Sequence, residues 1–129
     1  MALPEKQPKP GKNEINAAAL EAFFNIAKKW NLKDSQQMKL LGDVPSATFY
    51  NWKKTKRGAL TKDLLDRISY ILGIYKALHL LFSDENQADA WIHKKNRAFS
   101  NYSALDVMLG GSIIDLARVR AYLDAQRGW

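Results

Sequence analysis

Residues 42–54, GDVPSATFYNWKK, hold the side chains best suited to bind another molecule. A glycine and a proline form a turn, Phe49 and Trp52 follow three residues apart, and lysines end the stretch. Residues three apart share one face of a helix, so both rings can face a core while polar residues face outward. Amide and lysine side chains on that outer face suit the base edges and phosphates of a duplex.

A helix-turn-helix motif fits this arrangement, because it needs a short helix, a tight turn and a second helix held by large apolar residues. In SQQMKLLGDVPSATFYNWKK the residues expected to pack inward are Met38, Leu40, Leu41, Val44, Phe49 and Trp52. The residues predicted to meet DNA are Ser46, Thr48, Tyr50, Asn51, Lys53, Lys54, Lys56 and Arg57. The alternative is an ordinary three-helix core, in which a helix with a polar outer face has no binding role.

Net charge favours the DNA-binding interpretation. The chain carries 20 Lys and Arg against 13 Asp and Glu, a balance of +7. Residues 35–62 hold six of the basic residues and only one acidic residue, Asp43, a local excess of +5. A basic patch around a candidate recognition helix predicts a polyanionic partner.

Catalytic chemistry is not indicated. There is no cysteine, so disulfides and thiolate chemistry are excluded, and no metal-binding or phosphate-loop motif occurs. Of the two histidines, His79 is expected to be a satisfied core residue and His93 a surface residue. We therefore expect no enzyme activity and no cofactor. The N-terminus lacks the apolar core of a secretory signal, so a cytoplasmic location is expected.

The elements that position these residues are all predicted to be helical. Thr61 can cap a long apolar helix that reaches about Phe82, and its charged residues exclude a membrane span. Ser103 with Asp106, and Ser112 with Asp115, resemble capping boxes that begin two more helices. Earlier helices are expected at about 13–30 behind an Asn13 cap, at 35–41, and from 46. The predicted fold class is all-α, with seven or eight helices.

The last helix has an unusual pattern. Leu116, Val119 and Leu123 fall on one side, and a second apolar flank lies apart from them, beyond a stripe of charged residues. The second flank contains Ile114, Ala117, Ala121 and Ala125, and the stripe contains Arg120, Asp124 and Arg127. One small core cannot bury both flanks, so the helix either binds a partner or lies between two other helices.

From about residue 30 the chain resembles the Xre/MbcA/ParS antitoxins, which pair with RES-domain toxins. LLGDVPSATFYNW and LLDRISYILGIYKALHLLF match the N-terminal part of the family pattern. The C-terminal match consists of Trp91, Asn96, Arg97 with Phe99, the turn at Ser100 and Asn101, Ser103 with Leu105, Gly110 with Gly111, and a helix to Gly128. The sequence departs from the pattern at Lys95, Ser100, Asn101 and Ala104, where the family usually has Pro, Gly, Gly and Pro.

The resemblance implies an Xre-like helix-turn-helix joined by a long central helix to a small helical toxin-binding region. It also implies operator binding with autorepression, a RES-domain toxin whose NAD pocket the antitoxin covers, and assembly as a homodimer or larger hetero-oligomer. The expected toxin-binding residues are Trp91, Asn96, Arg97, Phe99, Arg120, Arg127 and Trp129. The expected division is a disordered arm at 1–12, the helix-turn-helix region at 13–60, central and dimerisation helices at 61–90, and the toxin-binding region at 91–129.

Two other functions are compatible with the same residues. One is a free-standing dimeric transcription regulator, in which the C-terminal part only dimerises. The other is an adaptor of the ParS type, which localises a partner without controlling transcription. A RES-domain gene beside this one would favour the antitoxin.

Overall fold

The computed structural model describes residues 11–128, which form seven α-helices and one very short hairpin. The helices are α1 (Lys12–Lys29), α2 (Asp34–Leu40), α3 (Ser46–Thr55), α4 (Lys62–Leu81), α5 (Glu85–Ala90), α6 (Ala104–Met108) and α7 (Ile113–Gln126). The strands β1 (Lys95–Asn96) and β2 (Tyr102–Ser103) pair antiparallel, with Lys95 opposite Ser103. Single 3₁₀ turns, Trp91–His93 and Arg97–Phe99, precede the two strands. The predicted all-α class is confirmed.

Helix α4 is the central element. Thr61 caps it, because its hydroxyl accepts a hydrogen bond from the backbone N–H of Leu64 at 3.2 Å, as predicted. The helix packs against α1 and α7, and its buried residues are Leu64, Ile68, Ile71, Gly73, Ile74, Ala77 and Leu78. All of them except Gly73 belong to one continuous core that includes side chains from α1, α3, α6 and α7. Within residues 11–128, no helix is long and apolar enough to cross a membrane.

Both predicted capping boxes are present. The Ser103 hydroxyl accepts from the Asp106 N–H at 3.0 Å, and the Asp106 carboxylate accepts from the Ser103 N–H at 3.1 Å. At the start of α7, the Ser112 hydroxyl accepts from the Ile114 N–H, and Asp115 accepts from the Ser112 N–H, both at 3.2 Å. These bonds satisfy N–H groups that a helix start otherwise leaves without a partner.

Two predicted helix starts are wrong by a residue or two. Helix α1 begins at Lys12 behind Gly11, not behind Asn13, because the Gly11 carbonyl accepts from the Ile15 N–H at 3.0 Å and closes an earlier turn. Helix α2 begins at Asp34 instead of residue 35, because the Gln36 side chain accepts from the Lys33 N–H at 2.8 Å. The predicted arm therefore overlaps α1 at its last residue, and its residues 1–10 lie outside the described part of the chain.

The family resemblance predicted a turn at Ser100 and Asn101, but the two strands beside it were not predicted. Each strand has two residues, too few to show the alternating pattern that identifies a strand. The chain reverses at Ser100 and Asn101, which both have left-handed backbone conformations, with φ of 55° and 67°. Because the hairpin lies between α5 and α6, it positions the segment that carries Asn96 and Arg97.

Candidate nucleic-acid interface and partner-binding surface

The inner face of α3 is held by two aromatic rings. Phe49 is completely buried and Trp52 is 5% exposed, which confirms the predicted register of this helix. The loop after α3 folds over the Trp52 indole so closely that a Cβ at Gly58 would lie 2.1 Å from the indole nitrogen. The rings therefore fix how α3 is rotated about its axis.

The outer face of α3 carries most of the residues predicted to meet DNA. Ser46, Tyr50, Asn51, Lys53 and Lys54 are exposed there, and Arg57 is exposed just after the helix. Thr48 and Lys56 are half-buried. Helix α3 thus presents a continuous polar surface with an amide, a phenol and two lysines.

Lys56 caps the C-terminal end of α3, and its side chain makes contacts within the protein. Its backbone is left-handed, with φ of 55°, and its ammonium group donates to the carbonyl of Lys53. The same ammonium lies 5.2 Å from the centre of the Phe24 ring, a cation–π distance. The Lys56 side chain, a predicted DNA contact, is thus already held by contacts within the protein.

Asp34, at the start of α2, is a site residue that the sequence did not suggest. Its Oδ2 accepts from the Tyr50 hydroxyl at 3.1 Å, and its Oδ1 accepts from the Lys53 ammonium at 2.7 Å. The bond from Lys53 holds the pKa of the Asp34 carboxyl below its ordinary 3.8, and the carboxylate raises the pKa of Tyr50 above 10.0. Two outer residues of α3 are thereby oriented by one carboxylate of α2.

In the C-terminal region, part of the predicted toxin-binding set is structural. Phe99 is 2% exposed and packs edge-on to Trp91 and Tyr122, with Arg118 5.6 Å above its ring. Phe99 is therefore a core residue of this chain, and its direct contact with a toxin stays a prediction. The family pattern marks the residue without saying whether it packs or binds. Trp91 is half-buried and stacks on Tyr122 at 6.1 Å.

Asn96 and Arg97 are neighbours in the hairpin, but the Asn96 side chain bonds within the protein and Arg97 is exposed. The Asn96 side chain accepts from the Ala98 N–H at 2.9 Å and caps the 3₁₀ turn. Arg97 is the next residue and is exposed. Asn96 therefore shapes the loop, and Arg97 is available to a partner.

The charged stripe on α7 is organised around Asp124. The carboxylate of Asp124 accepts from Arg120 Nε at 3.1 and 3.2 Å and lies 3.8 Å from Arg127 Nη1. Arg120 also lies across Gly73 of α4, where a Cβ would be only 1.4 Å from its Nη1. The small residue of α4 makes room for the guanidinium. Trp129, the last predicted contact, lies outside the described residues.

The second flank of α7 is uncovered. Leu116, Val119 and Leu123 are buried on the inner side. On the other side Ile114 is 73% exposed, Ala121 and Ala125 are exposed, and Ala117 is half-buried. Helix α7 packs against both α4 and α6, but this flank stays exposed, so the alternative that two neighbouring helices bury both flanks is wrong for the described residues.

Comparison with known proteins decides the family. Residues 12–73 match the antitoxin Xre-like helix-turn-helix domain, and residues 77–128 match the antitoxin Xre/MbcA/ParS C-terminal toxin-binding domain. The chain belongs to the Xre/MbcA/ParS antitoxin family. It is also similar to y4oB, an uncharacterized protein of Sinorhizobium fredii, at 52% identity over 111 residues. The alignment covers 86% of this chain and 85% of that relative.

The two domains of this antitoxin meet within α4 and are bridged by Arg67. Its Nη1 donates to the Gly111 carbonyl, just before α7, at 2.9 Å, and its Nε donates to Asp63 at 2.8 Å. The guanidinium also packs on Gly42 in the turn between α2 and α3, 3.1 Å from where a Cβ would lie. Gly42 has φ of 89°, which suits only glycine. One side chain thus touches the helix-turn-helix turn and the toxin-binding domain.

Two departures from the family pattern now have a physical explanation. Ser100 and Asn101 stand where the family usually has glycines, and both adopt the left-handed conformation that glycine tolerates best. The hairpin therefore keeps its shape with less suitable residues. Asn accepts this conformation more readily than most side chains.

The histidines take part in the fold. His79 is half-buried and lies 3.0 Å from the Asp89 carboxylate, as expected for a satisfied core residue. His93 is exposed, but its Nε2 lies 2.7 Å from the Trp30 carbonyl, so this nitrogen carries the proton. Within the described part of the chain, no group of three His, Asp or Glu is placed to hold a metal ion.

Proposed function

We propose that this antitoxin neutralises a RES-domain toxin by covering its NAD pocket with the end of α7, and that α3 binds operator DNA so that the protein represses its own transcription. The toxin class and the NAD pocket come from the family resemblance. The observation that carries the proposal is the exposed apolar flank of α7, because it lies within the segment that matches a toxin-binding domain.

The chemistry of the two surfaces supports this division of work. The outer face of α3 is polar and basic, which suits phosphates and base edges. The flank of α7 has apolar residues beside Arg120 and Arg127, the kind of surface that dominates protein–protein interfaces. A guanidinium can also pair bidentately with the phosphates of a dinucleotide or with carboxylates in the pocket that binds it.

Toxin binding by α7 can be tested with one charge. Ala121→Glu puts a carboxylate on the exposed flank, and Ala18→Glu makes the same change on the exposed face of α1. Each variant is co-expressed with the product of the adjacent gene, and the complex is measured by size exclusion. We expect Ala121→Glu to lose the complex and Ala18→Glu to keep it. Equal complex formation by both variants would place the toxin on another surface.

Covering of the pocket is tested by removing the last turn. Deleting residues 125–129 should leave helix content and operator binding nearly intact, since neither depends on this turn. NAD depletion should resume in cells that carry the toxin. If the truncated protein protects fully at equal expression, the blocking group lies elsewhere, and Arg97 is the next candidate because Phe99 is buried.

Operator binding is tested with two neighbouring residues of α3. Asn51→Ala should relax specificity at one base pair by about 1 to 3 kcal/mol, because an Asn side chain can bind adenine bidentately. Lys54→Ala should weaken binding to all sequences alike and flatten its salt dependence, as expected for a phosphate contact. Equal binding of a promoter fragment by wild type and the double variant would remove α3 from the interface.

The competing proposal is a free-standing dimeric regulator, in which the α7 flank contacts a second copy of this chain. The same co-expression experiment separates the two. A regulator of this kind would dimerise through α7 and bind DNA without forming any complex with the neighbouring gene product.

A further inference from the structure

The Asp34 carboxylate joins two residues of the DNA-facing surface through separate oxygens. Oδ2 accepts from the Tyr50 hydroxyl at 3.1 Å, and Oδ1 accepts from the Lys53 ammonium at 2.7 Å. Asp34 lies on α2, while its two partners lie on α3. The Tyr50 side chain is nevertheless 50% exposed, so its hydroxyl oxygen can meet another molecule.

The number of available protons determines whether the Tyr50 hydroxyl can donate or accept a further hydrogen bond. An ionised carboxylate only accepts hydrogen bonds, and a phenol has one proton to donate. The bond from Lys53 holds the pKa of Asp34 below its ordinary 3.8, so the carboxylate is ionised at neutral pH. The Tyr50 proton is therefore given to Asp34, and the lone pairs of its oxygen remain for an outside donor.

We infer that Tyr50 is a specificity-determining residue that accepts a hydrogen bond from a base with an exocyclic amino group, adenine N6 or cytosine N4, and that Asp34 is the positioning residue that sets this polarity. The inference rests on the proposed binding of operator DNA by α3. In the major groove adenine and cytosine offer amino donors, while guanine and thymine offer only acceptors to hydrogen bonds. A tyrosine that can only accept favours the first pair.

Replacing Asp34 by asparagine should reverse this preference. Lys53 has donors only, so the amide oxygen of Asn must face Lys53 and its NH₂ group must face Tyr50. The NH₂ group then donates to the Tyr50 oxygen, and the hydroxyl proton turns outward. The same phenol now becomes a donor, suited to guanine O6 or N7 and to thymine O4.

The experiment selects bound duplexes from a randomised DNA pool and sequences them, for wild type, Asp34→Asn, Tyr50→Phe and Lys54→Ala. Wild type should prefer adenine or cytosine at one position by about 2- to 10-fold, the range of a single net hydrogen bond. Tyr50→Phe should flatten that position only. Asp34→Asn should move the same position to guanine or thymine. Lys54→Ala, the matched control, should keep the wild-type sequence profile and bind less tightly.

Two results would overturn the inference, and they differ in meaning. If wild type selects a sequence and Asp34→Asn or Tyr50→Phe selects the identical one, operator binding stands and Tyr50 does not set a base preference through Asp34. If wild type selects no sequence at all, the proposed operator binding fails and this inference fails with it. Asp34 and Tyr50 both lie at the surface, so thermal melting of each variant within a few degrees of wild type checks that the fold is intact.

Discussion

Helices α3 and α7 are both anchored on the core by one face, yet their opposite faces differ in chemistry. Helix α3 is held by two aromatic rings and exposes amide, phenol and lysine groups. Helix α7 is held by three aliphatic side chains and exposes Ile114 and a row of alanines. A charged polymer suits the first surface, and an apolar protein surface suits the second. The buried residues of a helix therefore fix its rotation, while its exposed residues indicate its partner.

The largest expected effect tests the anchoring of α3 against that of the C-terminal region. Trp52→Ala should lower the free energy of unfolding by about 3 to 5 kcal/mol, because it empties a buried site under the loop at Gly58. Trp91→Ala should lower it by less, about 2 kcal/mol, because the Trp91 ring is only half-buried. Its face stacks on one ring, that of Tyr122. Urea denaturation followed by circular dichroism measures both.

A different pattern of results would break the comparison. If Trp52→Ala keeps the wild-type melting temperature but loses DNA binding, the indole faces outward and the rotation of α3 described above is wrong. If Trp91→Ala is the more destabilising variant, the C-terminal region contributes more to the common core than α3 does.

Most of the fold could be predicted from the sequence because its signals are local. The three-residue spacing of Phe49 and Trp52 places both rings on one helix face. Ser103 and Ser112 are each followed three residues later by a carboxylate, which indicates a helix start. The start of α1 was predicted wrongly because no local side-chain signal marks it. Asn13 is a good capping residue, but Gly11 closes the turn with its backbone, which leaves no mark in the side-chain pattern.

The next effect concerns Arg67, which connects the two surfaces. Its side chain is 11% exposed and donates to Gly111 and Asp63. Arg67→Ala should destabilise the protein by about 1 to 3 kcal/mol, since the Gly111 carbonyl loses its donor in a part-buried position. Operator affinity and toxin affinity should fall together, because the turn at Gly42 and the start of α7 lose a shared contact.

The matched control for this prediction is Arg67→Lys. Lysine keeps the charge and can still pair with Asp63, but its single ammonium cannot also reach the Gly111 carbonyl with the planar geometry of a guanidinium. It should restore part of the stability and little of the coupled loss of affinity. If Arg67→Ala lowers stability and leaves both affinities unchanged, the two surfaces work independently of this bridge.

The site was harder to predict than the fold because its key contacts are distant in the chain. Asp34 lies 16 residues before Tyr50, and Arg67 lies 44 residues before Gly111, so no spacing pattern joins them. The burial of Phe99 was not predicted for a related reason. An aromatic residue in a family motif can serve the core or a partner, and its burial depends on contacts that are distant in the chain.

The smallest expected effect compares the two capping serines of the C-terminal region. Ser103 is buried and Ser112 is exposed, so water can replace the lost hydroxyl only at Ser112. Ser103→Ala should therefore cost about 1 to 2 kcal/mol in urea denaturation, and Ser112→Ala about 0.5 to 1 kcal/mol. Toxin affinity should show the opposite order, because fraying at Ser112 displaces the exposed Ile114 two residues later, whereas Ser103 caps α6 inside the core. If Ser103→Ala weakens the toxin complex more than Ser112→Ala at equal folded fraction, the partner contacts α6 and the hairpin instead of the first turn of α7.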